Sequence, residues 1–329
     1  MSDTDGESDA GSQEVEDSQE AEDAQEDKPE QVHLHPLTPE IMAESLSLLC
    51  KTGNALAHAY VRVDLKDREL TDVYALSSFI HLRYVDISGN QLFDISPLAH
   101  LSQLLWLNAE GNRLTSARLD NLPFLQIASF ARNRIQDTEG IAHPFLETLN
   151  LSHNQIRAVS GFDPLKLTFL HTLELRANHL ESTLGICLPH LRHLYLAANQ
   201  IFSLEGLELL VSLQTLHLRE NQIEKLDGFS VRMGSLQYLN LRANQIIDIQ
   251  QTKRLHCLPK LRALVLAENP CTDEESHRLE VLMALPGLQR LDKESFTPDE
   301  RAEAAEALRA REQQEGKLNE EGQELEEAG

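Results

Sequence analysis

Apolar side chains in this chain recur at fixed offsets from asparagine. Leu146, Leu149 and Leu151 stand eight, five and three positions before Asn154. Leu170, Leu173 and Leu175 stand the same way before Asn178, and Leu213, Leu216 and Leu218 before Asn221. The asparagines recur as Asn90, Asn112, Asn133, Asn154, Asn178, Asn199, Asn221, Asn244 and Asn269, at intervals of 21 to 25 residues. Each Leu-x-Leu pair alternates as a strand does when one face is buried. The remainder of such a period is short, which predicts a 3₁₀ or extended return segment. One unit cannot bury its own apolar face, so neighbouring units must stack to make a core.

The spacing Leu-x-x-Leu-x-Leu-x-x-Asn is that of the leucine-rich repeat. The predicted fold class is therefore α/β: a leucine-rich repeat solenoid, a curved parallel β-sheet with short return segments and helical caps at both ends. The nine asparagines are expected to form a structural ladder, bonding backbone at the turns rather than serving a ligand, because every repeat carries one. An earlier coil keeps Val63, Leu65 and Leu70 in register but has Arg68 at the asparagine position. Ala109 and Ala128 stand where the consensus has larger residues. About ten coils are expected over 60–271, inside a repeat domain of 36–296.

The ends carry different signals. Thr38-Pro39 predicts a cap helix over 39–52 with Met42, Leu46 and Leu49 on one face and Gly53 as its stop. Thr272-Asp273-Glu274-Glu275 is a capping box that predicts a second cap over 272–292, with Leu279, Leu282 and Met283 facing inward. Caps matter because an uncovered parallel edge invites pairing with other chains. Residues 1–35 form an acidic tail whose first 31 residues hold 13 acids, one Lys and only Met1 and Val15 as large apolar side chains. Such a segment cannot offset its ordering entropy, and disorder is expected. In the acidic 297–329 segment, Thr297-Pro298-Asp299-Glu300 predicts a helix through Glu312 that projects from the core, either solvated and fraying or docked on a partner.

Charge and composition narrow the function. With 53 acidic and 29 basic residues the 329-residue chain has a net charge of −24, carried mostly by the tails. A pI near 4.9 repels phosphate, so nucleic acid is not expected as a partner. No apolar run approaches the roughly 20 residues of a membrane span, so no membrane partner is expected. Cys50, Cys187, Cys257 and Cys271 lie far apart, which suits reduced thiols inside the cell. Nucleophile elbows, HExxH, P-loop, GxGxxG, EF-hand and paired Cys or His motifs are missing from the sequence. The expectation is no catalytic residue, no cofactor, no metal and no small-molecule substrate. His193 and His217 would project from one face a strand apart, without a third ligand, which fits surface histidines better than a metal site.

What the pattern offers instead is a surface. Positions six, four and two before each asparagine should point out of the concave face. The first half presents Tyr84, Asp86, Trp106, Asn108 and Glu110 there. The second half presents Arg176, His193, Tyr195, His217, Arg219, Tyr238 and Arg242. Aromatic and Arg side chains dominate binding hot spots, so Tyr84, Trp106, Glu110, Arg176, Tyr195, Arg219, Tyr238 and Arg242 are the candidate partner-binding residues.

The segments Leu48 to Tyr60, His81 to Asn90, Leu125 to Phe130 and Asn269 to Glu274 are not generic repeat filler. They resemble the radial-spoke leucine-rich repeat proteins of motile cilia and sperm flagella, over about residues 37–300. The resemblance implies a non-enzymatic scaffold of the axoneme, at the head of the third radial spoke, with radial spoke head proteins and other axonemal proteins as partners. It hands over no catalytic residue. The short repeats with a helical cap also resemble regulatory subunits of protein phosphatase 1, which would engage a globular enzyme through the concave face. The acidic-tailed histone chaperones are a weaker likeness, since residues 312–329 interleave Gln, Gly and Leu with the acids.

Overall fold

The computed structural model describes residues 34–53, 57–119 and 122–327. The acidic tail expected over 1–35 lies outside the described residues except for its last two. His35 is tied down there: its backbone N–H donates to the Thr71 hydroxyl at 2.9 Å, and its carbonyl accepts from the Thr71 N–H at 2.9 Å.

Among the described residues, thirteen strands form one sheet in chain order. They are β1 (Leu46–Lys51), β2 (His58–Asp64), β3 (Tyr84–Asp86), β4 (Trp106–Asn108), β5 (Ile127–Ser129), β6 (Thr148–Asn150) and β7 (Thr172–Glu174), followed by β8 (His193–Tyr195), β9 (Thr215–His217), β10 (Tyr238–Asn240), β11 (Ala263–Val265), β12 (Arg290–Leu291) and β13 (Glu294–Ser295). Pairing from β2 to β12 is parallel, whereas β1 with β2 and β12 with β13 are antiparallel. The middle residue of each short strand, such as Val85, Leu107, Leu149 and Leu173, is fully buried, and its two neighbours face outward. The apolar residues at the eighth, fifth and third positions before each asparagine, mostly leucines, stack coil on coil into one core. Each such burial stabilises the fold by roughly 1.5–3 kcal/mol. Ala109 and Ala128 are also buried, so the smaller residues do not break the column.

The asparagines hold the coils together. Asn112 Oδ1 accepts the Leu92 N–H of the preceding coil at 3.0 Å, while Nδ2 donates to the Ile87 carbonyl at 3.0 Å and to its own coil's Ala109 carbonyl at 3.1 Å. Asn178 repeats this on Ile156, Leu151 and Leu175. A coil of backbone whose polar groups lie inside needs such partners, because orphaned buried groups cost free energy. The residue just before each asparagine is left-handed, with φ from +53 to +68°. Most of these are not glycine, so the turn imposes a conformation that L residues disfavour and the asparagine bonds offset. At Gly89 a Cβ would sit 1.9 Å from Asp67 Oδ1, so a larger residue there would have to displace the Asp67 side chain.

Both caps depart from the expected elements. Helix α1 covers only Pro39–Ser45, capped by the Thr38 hydroxyl, and the rest of the segment expected to be helical over 39–52 is strand β1. Met42 is buried, but Leu49 is 57% exposed. The reason lies in β2, whose outer edge would otherwise present unpaired backbone; pairing Leu46 with Val63 and Lys51 with His58 satisfies it. At the other end, the Thr272 hydroxyl donates to the Asn269 carbonyl at 2.8 Å in a 3₁₀ turn opened by Pro270, so it caps no helix. Helix α2 begins five residues later, at His277–Ala284.

Helix α3 (Pro298–Glu327) corrects the picture of a projecting segment. Its capping box forms as expected: Glu300 N–H donates to Thr297 Oγ1 at 3.2 Å, and Thr297 N–H donates to Glu300 Oε2 at 2.6 Å. Its first turns then lie on α2, with Ala304 buried and Ala307 and Leu308 packed on the core. Alanine permits close approach, and the Arg301 guanidinium donates to the Pro286 and Leu288 carbonyls at 3.0 and 2.7 Å. Arg278 joins the two helices, pairing with Glu300 and lying 4.3 Å over the Phe296 ring. These bonds hold the Glu300 carboxyl down at about 2.

Candidate functional site: the open face of the sheet

Strand register brings the outward side chains into rows. Tyr84 of β3 lies beside Trp106 of β4, and Trp106 beside Ile127 of β5. Tyr84 is 38% and Ile127 41% exposed, and Trp106 is half-buried. Thus the first half of the face carries a continuous apolar strip over three strands. Ile127 was missed by a search for aromatic and charged residues, although its position six before Asn133 marks it. Glu110 borders this strip and pairs with Arg132 at 3.1 Å.

On the second half the candidates assemble differently. Tyr195 of β8 and His217 of β9 are register partners with ring centroids 4.9 Å apart. His217 also meets Tyr238 of β10, diagonally, at 5.0 Å. Burial in this stack holds the His217 imidazole below its usual pKa, which favours the neutral ring. His193 sits opposite Thr215, not opposite His217, so the two histidines are offset by two register positions. No group of three or more His, Cys, Asp or Glu among the described residues is arranged to hold a metal.

Arg176, Arg219 and Arg242 all stand two before their asparagines, at the same edge of the face. Arg176 is exposed and makes no ion pair among the described residues. Arg219 Nε donates to Glu220 Oε1 at 2.9 Å, and Arg242 pairs with Glu268 of the next coil. Half-buried Glu174 lies beside Tyr195, and burial raises its carboxyl pKa. The face therefore offers an aromatic stack edged by guanidinium groups.

Beyond β10 the face drops. Only small side chains stand at the outward positions here, a buried Ala263 and a half-buried Val265 on strand β11 and Ala267 just beyond it. The β12–β13 hairpin rises past them, leaving a cleft of about 590 Å3 between Tyr238 and Arg242 on one side and Lys293 and Glu294 on the other. Sequence reading missed this cleft because it depends on the hairpin, which has no repeat signature. A second missed feature is a row of exposed phenylalanines, Phe124, Phe145 and Phe169, each nine before its asparagine on successive coils. Phe145 and Phe169 stack at 5.3 Å.

Stacked Leu-x-Leu coils under an open sheet face with large rigid side chains define a leucine-rich repeat protein, a fold that serves protein interaction. Family models described as leucine-rich repeats match residues 180–319 and 142–161. Leucine-rich repeat-containing protein 23 of Homo sapiens is 57% identical over 276 residues, covering 84% of this chain and 80% of that protein. Cilia- and flagella-associated protein 410 of Homo sapiens is 41% identical over 95 residues, covering 28% of this chain and 37% of its own. A solved leucine-rich repeat protein of Leptospira interrogans superposes with a TM-score of 0.54 at 21% identity, covering 69% of this chain and 63% of that one, and shows the same fold. The chain belongs to the leucine-rich repeat-containing protein 23 family.

Proposed function

We propose that this chain is a scaffold component of the axonemal radial spoke, at the head of the third spoke, in motile cilia and sperm flagella. The observation that carries the reading is the extent of the family likeness, 57% over four fifths of the human relative. The name of protein 410 supports a ciliary setting. The geometry suits the task. Thirteen strands at roughly 4.8 Å make a plate on the order of 55 Å long, able to meet several proteins at once. On this reading Tyr84, Trp106 and Ile127 anchor one partner, while Tyr195, Tyr238, Arg176, Arg219 and Arg242 meet a second. Glu110 flanks the first contact. The partners are radial spoke head proteins and other axonemal proteins, and the site of action is the cytoskeleton of the cilium or flagellum.

The test is the fraction of tagged full-length chain retained in detergent-extracted axonemes of ciliated or spermatogenic cells. Retention along the axoneme is the expected result. A wholly soluble or nuclear pool would overturn the reading, and copurification with phosphatase activity from non-ciliated cells would favour the phosphatase-regulator alternative.

A further inference from the structure

Strand β1 closes the edge of β2 but becomes an edge itself. It stands first in the sheet, so the backbone groups that turn away from β2 meet no strand among the described residues. At the other end of the sheet the edge strand β13 is two residues long and carries Glu294, and shortness and charge are ways in which proteins blunt an edge. Strand β1 is less protected. Every residue from Ser47 to Lys51 is exposed, with Leu48 at 54% and Leu49 at 57%. Leu48, left-handed at φ +55°, has no cross-strand partner and divides the strand. The segment beyond it, Leu49-Cys50-Lys51, pairs in register with Tyr60, Ala59 and His58. Three residues is also the length of each strand from β3 to β11, so this segment can template one more strand of the kind the solenoid already uses.

Charge at this edge is one-sided. A groove of about 330 Å3 opens beside Lys51, lined by Ala59, the buried Val61, His81 and Arg83 among others, and no acidic residue lines it. Neither Lys51 nor Arg83 makes an ion pair among the described residues. The register explains why. Because β1 runs antiparallel to β2, Lys51 lies beside His58 where β2 begins, and Arg83 stands just before β3. Asp64 and Asp86 close the same two strands at the opposite end, where they accept the Lys66 N–H at 3.3 Å and the Ser88 N–H at 3.0 Å. From Arg83 to Asp86 the backbone advances about 10 Å, more than the roughly 8 Å over which charges act at physiological salt. An unpaired strand edge selects an extended backbone, and the cations at its end select carboxylates.

We propose that β1 binds an extended acidic segment of a partner protein as an added strand, its backbone on Leu49-Cys50-Lys51 and its carboxylates toward Lys51 and Arg83. A second copy of this chain fits less well, because β1 itself holds no acidic residue and would bring another Lys51 to the same place. This edge lies outside the open-face residues of the scaffold reading. Either can fail alone, since the edge is tested with purified protein and the axonemal role in cells.

The experiment is a fluorescence-polarisation titration of full-length chain with a labelled Val-Thr-Val-Glu-Glu-Glu peptide, followed by hydrogen exchange on the complex. The β-branched half favours extended backbone and the Glu half supplies charge. Saturable binding and slowed amide exchange at Leu49 to Lys51 are expected. Methylating alternate backbone nitrogens of the peptide, or replacing its Glu by Lys, should each weaken binding by about tenfold or more. Lys51→Glu combined with Arg83→Glu should do the same, while Arg157→Glu on an exposed return segment should leave the affinity unchanged. If the double variant melts lower, the two peptide comparisons on the unaltered protein decide. Four results would overturn the proposal: no saturable binding, indifference to backbone methylation, indifference to the Glu-to-Lys peptide, or a sedimenting dimer whose Leu49 to Lys51 amides are protected without peptide. The last would assign the edge to a second copy.

Discussion

The two halves of the open face rest on one interior and present opposite chemistry. From β3 to β5 the outward row is Tyr84, Trp106 and Ile127, bordered by a Glu110 already paired with Arg132. From β7 to β10 the row becomes an aromatic stack with an imidazole at its centre, edged by Arg176, Arg219 and Arg242. Beneath both, the same leucine columns and the same asparagine bonds recur. Because inward positions are fixed by packing and outward ones are not, a solenoid can vary its surface coil by coil without altering its fold. Mutations can therefore be sorted in advance into those that damage both halves and those that separate them.

The largest effect should come from Leu173→Asp, at the fully buried centre of β7 where the halves meet. A buried unpaired carboxylate costs about 4 kcal/mol or more. Thermal or urea unfolding should collapse to a much lower midpoint, and partners of both halves should be lost together. A cooperative melt near the parent value would mean that Leu173 does not point inward.

Acid provides the next break, through His143. This side chain is 1% exposed, its Nδ1 accepts the Leu122 N–H at 3.2 Å, and its Nε2 has no partner among the described residues. Burial pushes its pKa from 6.5 down to about 4. The unfolded chain takes up the proton near 6.5 and the folded chain only near 4. Stability is thus full above about pH 6.5 and falls as the pH drops toward 4, by a total of about 3 kcal/mol. His217, also lowered by burial, acts in the same direction. Glu300, held at about 2, titrates well below this window, and Glu174, whose carboxyl burial raises, acts in the opposite direction, so the decline belongs to the histidines. Urea midpoints across that window should decline, and His143→Gln should flatten most of the slope. An equal slope in the variant would assign the decline elsewhere.

Asn178→Ala tests the shared ladder. It leaves the Ile156 N–H without its acceptor and takes one of two donors from the Leu151 and Leu175 carbonyls, which keep Asn154 and Asn199, at a cost of about 2 kcal/mol. Hydrogen exchange should rise in the coils on either side and little at β3, so one half loosens before the other. Uniform loosening would indicate that the coils do not open separately.

How much of this was legible in the sequence follows from what made each element. The coils were readable because their period is local and repeated: one Asn and three apolar positions define each. The caps were not, because their form depends on a partner distant in the chain. Leu46 to Lys51 reads as helix by composition, yet the free edge of β2 makes it a strand. Thr272 reads as a helix cap, yet Pro270 spends its hydroxyl on a 3₁₀ turn. The alanines of α3 read as solvated surface, yet Ala304 is buried where Arg278 of α2 pairs with Glu300 and Arg301 bonds the Pro286 and Leu288 carbonyls. Within the candidate site, rows such as Tyr84 to Ile127 follow from register alone. The cleft over β11 needed the hairpin.

The smallest expected effect on stability is the most discriminating for function. Trp106→Ala removes a half-buried side chain from the open face and leaves the leucine columns intact, so melting should move by no more than about 1 kcal/mol. If the halves meet different partners, Trp106→Ala should weaken one of them by tenfold or more, about 1.4 kcal/mol, with little change in salt dependence. The triple replacement of Arg176, Arg219 and Arg242 by Gln should do the reverse, weakening the other partner and flattening its salt dependence. Pull-down affinities at low and physiological salt would show the crossing pattern. If both variants weaken the same partner to the same degree, the face is one continuous interface, and the chemical difference between its halves belongs to a single large partner that spans them.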